Sequence, residues 1–300
     1  VTLLVIVGPT ASAKTELAVE LASRHPIEII SADSVQVYRH FDLGTGKPTA
    51  MERAQAPHHL LDCVEPMEPM DAARWARLAD GVLEDIRARG RIPVVCGGSF
   101  LYVKALLFGL AAAPPADENV RLRHARLVAG QGKEALHAAL SRVDPTSAAR
   151  LNPNDRVRVS RALEVFELTG VPLSRWQAEH GFSSVRHRAK LVGVGWSREQ
   201  LDERIRTRAD AMLAHGWVEE VERLLEMGYA ESRPMRSVGY RQIADALTGE
   251  APVEATELRE RIVRATRVFA RRQRTWLRDQ PVRWLPPSVL GAVDAERLLA

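Results

Sequence analysis

The hydrophobic pattern of this chain changes character twice, and each change predicts a different architecture. Residues 2–7 (TLLVIV) are apolar almost throughout, the mark of a strand buried on both faces. Helical spacing follows over residues 15–23, where Leu17 and Leu21 share a face; a second short strand is predicted at 27–30 and a third at 59–64. Asp71 can cap a helix in which Trp75, Leu78, Ala79, Val82 and Ile86 recur every three or four residues, with Gly90 at its end. Residues 92–96 (IPVVC) form another buried strand, and Gly97-Gly98-Ser99 leads into a helix over 100–108. Alternation of this kind predicts a parallel sheet with helices on both faces.

At Ala113-Pro114-Pro115 the strand signal stops. Helical periodicity runs over 120–128, 133–140, 145–151 and 155–168, the last capped by Asn154 or Asp155 and stopped by Gly170. Residues 191–196 (LVGVGW) resume the strand pattern. Ser197 with Gln200 forms a capping box opening a helix to His215. Further helices are expected over 218–227, 238–247 and 254–277, with a last edge strand at 282–285. The organisation predicted is an α/β core of residues 1–114 and 190–300 holding an all-helical insertion of residues 115–189.

A length of 300 residues fits two domains, and 46% apolar against 27% charged residues excludes a fibre or a disordered tail. No apolar run reaches the roughly 18 residues of a membrane span. Val1 runs straight into the first strand without the flank or cleavage site of a signal peptide, so a cytoplasmic chain without a membrane partner is expected. Cys63 and Cys96 lie far apart in no metal-ligand spacing, so neither a disulfide nor zinc is expected. Net charge is +4, yet only five of the 42 basic residues are lysine. A guanidinium surplus suits bidentate capture of phosphate; biased codon usage would give the same count.

Placement begins to separate those readings. Gly8-Pro9-Thr10-Ala11-Ser12-Ala13-Lys14-Thr15 follows a buried strand and opens a helix, the context of a phosphate-binding P-loop. Its amides and the helix N-terminus would face phosphate oxygens, Lys14 would reach the outer phosphate, and the Thr15 hydroxyl could hold Mg2+. Ala13 stands where glycine is usual, and a positive φ there would cost about 1 kcal/mol. The fold expected is therefore a P-loop NTPase-like sheet with an inserted helical domain. Asp33, at the carboxyl end of the second strand, can bind magnesium, act as a general base or merely cap a helix. Ser99 offers a hydroxyl to the same rim. Arg264, Arg267, Arg271, Arg274 and Arg278 fall on one face of the last long helix, with Ile262, Thr266, Phe269, Gln273 and Trp276 opposite. Such a stripe reads as contact with a polyanion backbone or as a solvated face. Arg156, Arg158 and Arg161 form a second cluster, and Arg121 and Arg123 a third. His58 and His59, adjacent on a strand, point to opposite faces and receive no ligand role.

The strings GPTASAKT (8–15), DSVQVY (33–38), GTGKP (44–48), RGRIPVVCGGSFLY (89–102), LNPNDRVRVSRALEVFELTG (151–170) and SVGYRQ (237–242) resemble, in order and over nearly the whole chain, bacterial tRNA dimethylallyltransferases, or tRNA isopentenyl transferases. The resemblance implies transfer of a five-carbon group from dimethylallyl diphosphate to the exocyclic amine of the adenosine 3′ of the anticodon. It implies that residues 8–15 hold the donor diphosphate with magnesium, aided by Arg241, and that Asp33 is the general base, with Ser99 where the family commonly has threonine. It further implies tRNA contacts at Asp33, Ser34, Val35, Gln36 and Ser99, at Arg121, at Val157, Arg158, Val159, Ser160 and Arg161, and at Ser237, Val238, Gly239, Tyr240, Arg241 and Gln242. The helical insertion would embrace the anticodon loop while the arginine stripe grips the stem of a tRNA bound by a monomer. A small-molecule kinase on the same core explains the P-loop but not the stripe, and an RNA-binding NTPase switch lacks a base-reading string.

Overall fold

The computed structural model describes residues 2–249, 251–292, 294, 298 and 299; Val1, the first residue of the expected α/β core, lies outside them. The chain opens with β1 (Leu3–Val7), α1 (Lys14–Ala22), β2 (Ile27–Ser31), α2 (Ala50–Gln55), β3 (His58–His59), α3 (Ala72–Ala88), β4 (Ile92–Gly97) and α4 (Phe100–Phe108). Five helices follow: α5 (Glu118–Gln131), α6 (Lys133–Val143), α7 (Pro145–Arg150), α8 (Arg156–Thr169) and α9 (Leu173–His180). The chain then forms β5 (Ala189–Val194), α10 (Arg198–Ala214), α11 (Trp217–Glu226), α12 (Tyr240–Thr248), α13 (Ala255–Arg278) and β6 (Val282–Leu285).

The strands make one sheet in the order β3-β2-β4-β1-β5-β6, every pairing parallel. Every residue of β1 and β2 is buried, as the uninterrupted apolar run of β1 requires. The exceptions in kind are Ser31 and the charged Glu28, which β2 carries into the interior. Hydrogen bonds from Arg89 pull its carboxyl down to about 2 against the opposing effect of burial, and His59 Nε2 stands 2.7 Å away. The expected strand over 59–64 shrinks to two residues, because Leu60 and Asp62 adopt positive φ (60° and 52°) and turn the chain. Asp71 caps α3 through the Arg74 amide, and Trp75 anchors that helix by donating to the Ser31 carbonyl.

Contacts divide the chain into two units, residues 1–107 with 186–300 and residues 108–185. The helical unit thus begins seven residues before 115. It has its own core of Leu136, Leu140, Ala148, Val159, Ala162 and Leu163. Asp117, Asp144 and Asp155 cap α5, α7 and α8, and Gly170 at φ 69° ends α8. In the first unit the Arg186 amide donates to the Leu107 carbonyl at 2.8 Å, so the chain departs and returns at neighbouring points. The Ser197–Gln200 capping box opens α10, which packs along α13. The inward face of α13 is Leu258, Ile262, Val263, Ala270, Gln273 and Leu277, whereas Phe269 and Trp276 are 40% and 54% exposed. That corrects their placement on the packing face: the buried stripe is centred one position away from them.

Candidate active site

Because the strands are parallel, the segments after β1, β2, β4 and β5 all leave the same edge of the sheet, where ligands of open α/β folds collect. Residues 8–13 close over that edge. Ala11 and Ala13 both take left-handed backbone, at φ 62° and 64°. Ala13 occupies the cap position of α1 and no side chain caps the helix there, so the first amides of α1 stand open to an anion. Not every loop amide is open: Thr10 N–H donates to Gln273 Oε1 at 2.8 Å and Ser12 N–H to the Pro9 carbonyl at 3.3 Å. Ser12 Oγ is buried and has no partner, and a Cβ at Gly8 would lie 2.5 Å from it.

Lys14 folds back so that Nζ donates to the Pro9 carbonyl at 2.6 Å. Burial lowers its pKa to about 8; the neighbouring Cys96 and Asp33 act to raise it and Arg208 to lower it. Those four side chains therefore share one electrostatic environment. Burial also pushes the Cys96 thiol up to about 12, leaving it a neutral wall. Arg208, from α10, is itself depressed by burial and supported by Asp33, and its Nη2 lies 3.4 Å from the Thr45 carbonyl. Asp33 Oδ1 accepts from the amides of Val35 (2.9 Å) and Gln36 (3.3 Å), so this carboxylate braces a turn, where a helix cap was one expectation, and its charge acts on Lys14 and Arg208. Ser99 Oγ accepts from the Ser34 amide at 2.8 Å, and Ser99 N–H donates to the Ala32 carbonyl, locking the loop after β4 to the loop after β2. Thr15 lies in the first turn of α1. Outside it, Trp196 Nε1 donates to the Ser12 carbonyl, Arg204 Nε to the Ala11 carbonyl, and the Arg204 guanidinium stacks 4.3 Å from the Trp196 ring.

Several expected contact residues are placed differently. Arg241 is exposed on α12, and Arg208 is the arginine whose charge acts on Lys14. Sequence reading missed Arg208, although Arg204 and Arg208 are four residues apart on a helix whose Leu201, Ile205 and Ala209 are buried. Tyr240 is fully buried, its hydroxyl donating to Glu220 and its ring against Phe41 and Trp217, so it is core and not an RNA-facing group. Gly239 sits at φ 89° where a Cβ would strike the Trp217 ring, and Gln242 turns back to accept from the Gly239 amide. Ser237 and Val238 are half-buried. Gln36 commits its amide to the Thr45 and Gly46 carbonyls and its Oε1 to Ser31, which makes it a brace. Ser34 and Val35 remain half-exposed. In the helical unit Val159 is fully buried and Ser160 Oγ meets His124 Nδ1, while Val157 is open to solvent. Arg121 and Arg161 both pair with buried Glu164, and Arg158 with Asp155.

The α13 arginines line a groove of about 760 Å3. Arg267, Arg271, Arg274 and Arg278 face Pro9, Trp196, Arg198 and Trp284 across it. Arg267 lies 3.3 Å from Asp202, while Arg264, Arg271, Arg274 and Arg278 are exposed. Among the described residues no group of three or more His, Cys, Asp or Glu could hold a metal, and no helix is long and apolar enough to cross a membrane.

A family model described as IPP transferase matches residues 36–280, and a second, isopentenyl transferase, matches 1–64. A tRNA dimethylallyltransferase of Sorangium cellulosum is 58% identical over 283 residues, 94% of this chain and 90% of that one. The crystal structure of a tRNA isopentenylpyrophosphate transferase from Bacillus halodurans superposes with a TM-score of 0.70 at 35% identity, covering 99% of this chain and 93% of its own. A eukaryotic dimethylallyltransferase acting on tRNA gives 0.81 at 25% identity, covering 100% and 78%.

Proposed function

The chain belongs to the tRNA dimethylallyltransferase family, and from that premise we propose that its site moves a dimethylallyl group from dimethylallyl diphosphate to the N6 amine of the adenosine 3′ of the anticodon, releasing diphosphate. The observation that carries this reading is the convergence of Lys14, Arg208 and Asp33 at an uncapped helix N-terminus beside the Ser99 hydroxyl.

Adenine N6 is a weak nucleophile because its lone pair is delocalised into the ring. Asp33 takes its proton as the nitrogen–carbon bond forms, and since Oδ1 already accepts two amides, Oδ2 is the receiving atom. The allylic carbon–oxygen bond breaks at the same centre, and the departing diphosphate is met by the first amides of α1, Lys14 and Arg208. Ser99 acts through the Ser34 amide, holding the Asp33 loop against the loop after β4. Ser12 Oγ, buried without a partner, is available to a phosphate oxygen. Magnesium suits the Thr15 hydroxyl, an oxygen donor in the first turn of α1, and would be held there together with diphosphate oxygens and water. Bound there, it would neutralise charge on the leaving group.

The adenosine must leave its stack to reach the pocket, which suits a single-stranded anticodon loop. The arginine groove supports binding of the tRNA stem, and exposed Val157 and Arg158 are the contacts we assign to the helical unit of residues 108–185, with the protein working as a cytoplasmic monomer. Incubation with magnesium, unmodified tRNA and dimethylallyl diphosphate, followed by nucleoside mass spectrometry, should show a five-carbon gain on adenosine. Transfer of phosphate from ATP with no such gain would overturn the reading. Asp33→Asn keeps the amide-accepting oxygen and should lower turnover by about 100-fold or more with tRNA affinity nearly unchanged; equal loss of both would exclude the base.

A further inference from the structure

We propose that Gln273 is a positioning residue that couples RNA bound on the outer face of α13 to diphosphate bound at the phosphate loop, an inference that rests on the functional reading above. Gln273 sits between Arg272 and Arg274 in the sequence, yet its side chain points inward and is only 8% exposed. Both ends of its carboxamide are used: Oε1 accepts from Thr10 N–H at 2.8 Å and Nε2 donates to the Gly98 carbonyl at 3.0 Å. One side chain thus ties a helix to the loops that follow two neighbouring strands.

The fit is specific. A Cβ at Gly98 would lie 2.4 Å from Gln273 Nε2, so a glycine there admits the carboxamide. Each anchored loop then reaches the chemistry by one further contact. Pro9, beside Thr10, accepts from Lys14 Nζ, and Ser99, beside Gly98, accepts from the Ser34 amide next to Asp33. A carboxamide largely withdrawn from water is costly to leave without partners, so a shift of α13 is resisted by both loops and is passed on to them. On the outside of the same helical turn, Arg271 and Arg274 line the groove that also contains Pro9. An RNA backbone drawing on those guanidinium groups therefore acts on a helix whose inner face fixes the phosphate loop. Coupling of this kind is a free energy shared by two ligands and is reciprocal.

The test measures binding of a fluorescent anticodon stem-loop RNA with and without saturating inorganic diphosphate and magnesium. In the wild-type protein diphosphate should tighten RNA binding about fivefold or more, and RNA should tighten diphosphate binding by the same factor. Gln273→Leu keeps the bulk and removes both hydrogen bonds, and should bring the ratio close to one while RNA affinity without diphosphate changes less than threefold. Gly98→Ala, which displaces the carboxamide from the other side, should do the same and carries the test where the first variant fails to fold. A wild-type ratio of one with both ligands bound, or a full ratio retained in a folded variant, overturns the coupling alone. Wild-type protein that binds no RNA overturns the functional reading together with it.

Discussion

Ala13→Gly is expected to stabilise the protein, the reverse of what glycine does inside a helix. Ala13 holds φ 64°, ψ 28° at the cap of α1. Left-handed backbone costs an L-residue about 1–2 kcal/mol, and glycine returns about 0.4–1 kcal/mol of that through the greater freedom of the unfolded chain. The balance is a gain of about 0.5–1 kcal/mol. Ala18→Gly is the matched control, because Ala18 is fully buried within α1. There glycine loses about 1 kcal/mol of helix propensity and about 0.8 kcal/mol of methyl burial. Urea unfolding followed by tryptophan fluorescence should move the midpoint up for Ala13→Gly and down for Ala18→Gly at constant slope. Inorganic diphosphate affinity should stay within threefold for Ala13→Gly, since the alanine loop already holds the conformation. A lower midpoint for Ala13→Gly would refute the strain argument and make the methyl a packing group.

Three further outcomes follow from the same geometry. Burial lowers Lys14 to about 8, and the proposed contact of its ammonium with diphosphate predicts that affinity falls by up to tenfold per pH unit above pH 8 in isothermal titration. The sign for stability is opposite: below pH 8 the fold carries an ammonium in an unfavourable place, and this group's contribution rises between pH 8 and 10.5 as the unfolded chain alone retains the proton. Arg208→Met removes a cation that adds to the effect of burial on Lys14 and acts on Asp33; turnover should fall by about 100-fold, the Lys14 pKa should rise, and Arg241→Met should do neither. Arg271→Ala and Arg274→Ala should each weaken RNA binding and reduce the slope of log affinity against log salt by about one, and an unchanged slope would return that face of α13 to bare solvation.

Where local chemistry decides structure, the residues announce it. The apolar run of β1, the Asp71 cap and the Ser197–Gln200 box each depend on a few neighbouring positions, and each has its expected place. What escaped depends on tertiary neighbours. Phe269 and Trp276 satisfy helical spacing, but α13 turns Ala270, Gln273 and Leu277 to its partners instead. Tyr240 and Val159 lie within strings that carry the family resemblance, yet both are core, Tyr240 packed against Phe41 and Trp217. Arg208 is one of several arginines on α10, and only the packing of that helix beside the phosphate loop distinguishes it. The short α2 buries no residue, so it had no periodicity to read; its Thr49–Glu52 capping box was the available signal. Ala13 is the reverse case, where the departure from glycine pointed directly at the conformation observed.

The hydrogen bond from the Arg186 amide to the Leu107 carbonyl has a consequence for how freely this protein can vary. The helical unit is a long loop whose two ends are already held within one bond of each other by the sheet-bearing unit. Loop-closure entropy grows only with the logarithm of length, about 0.6 kcal/mol for each doubling. The helices between those ends can therefore be lengthened, trimmed or exchanged at little thermodynamic cost to the core. Change within the inserted helices is in this way separated from the sheet edge at which the reaction is proposed.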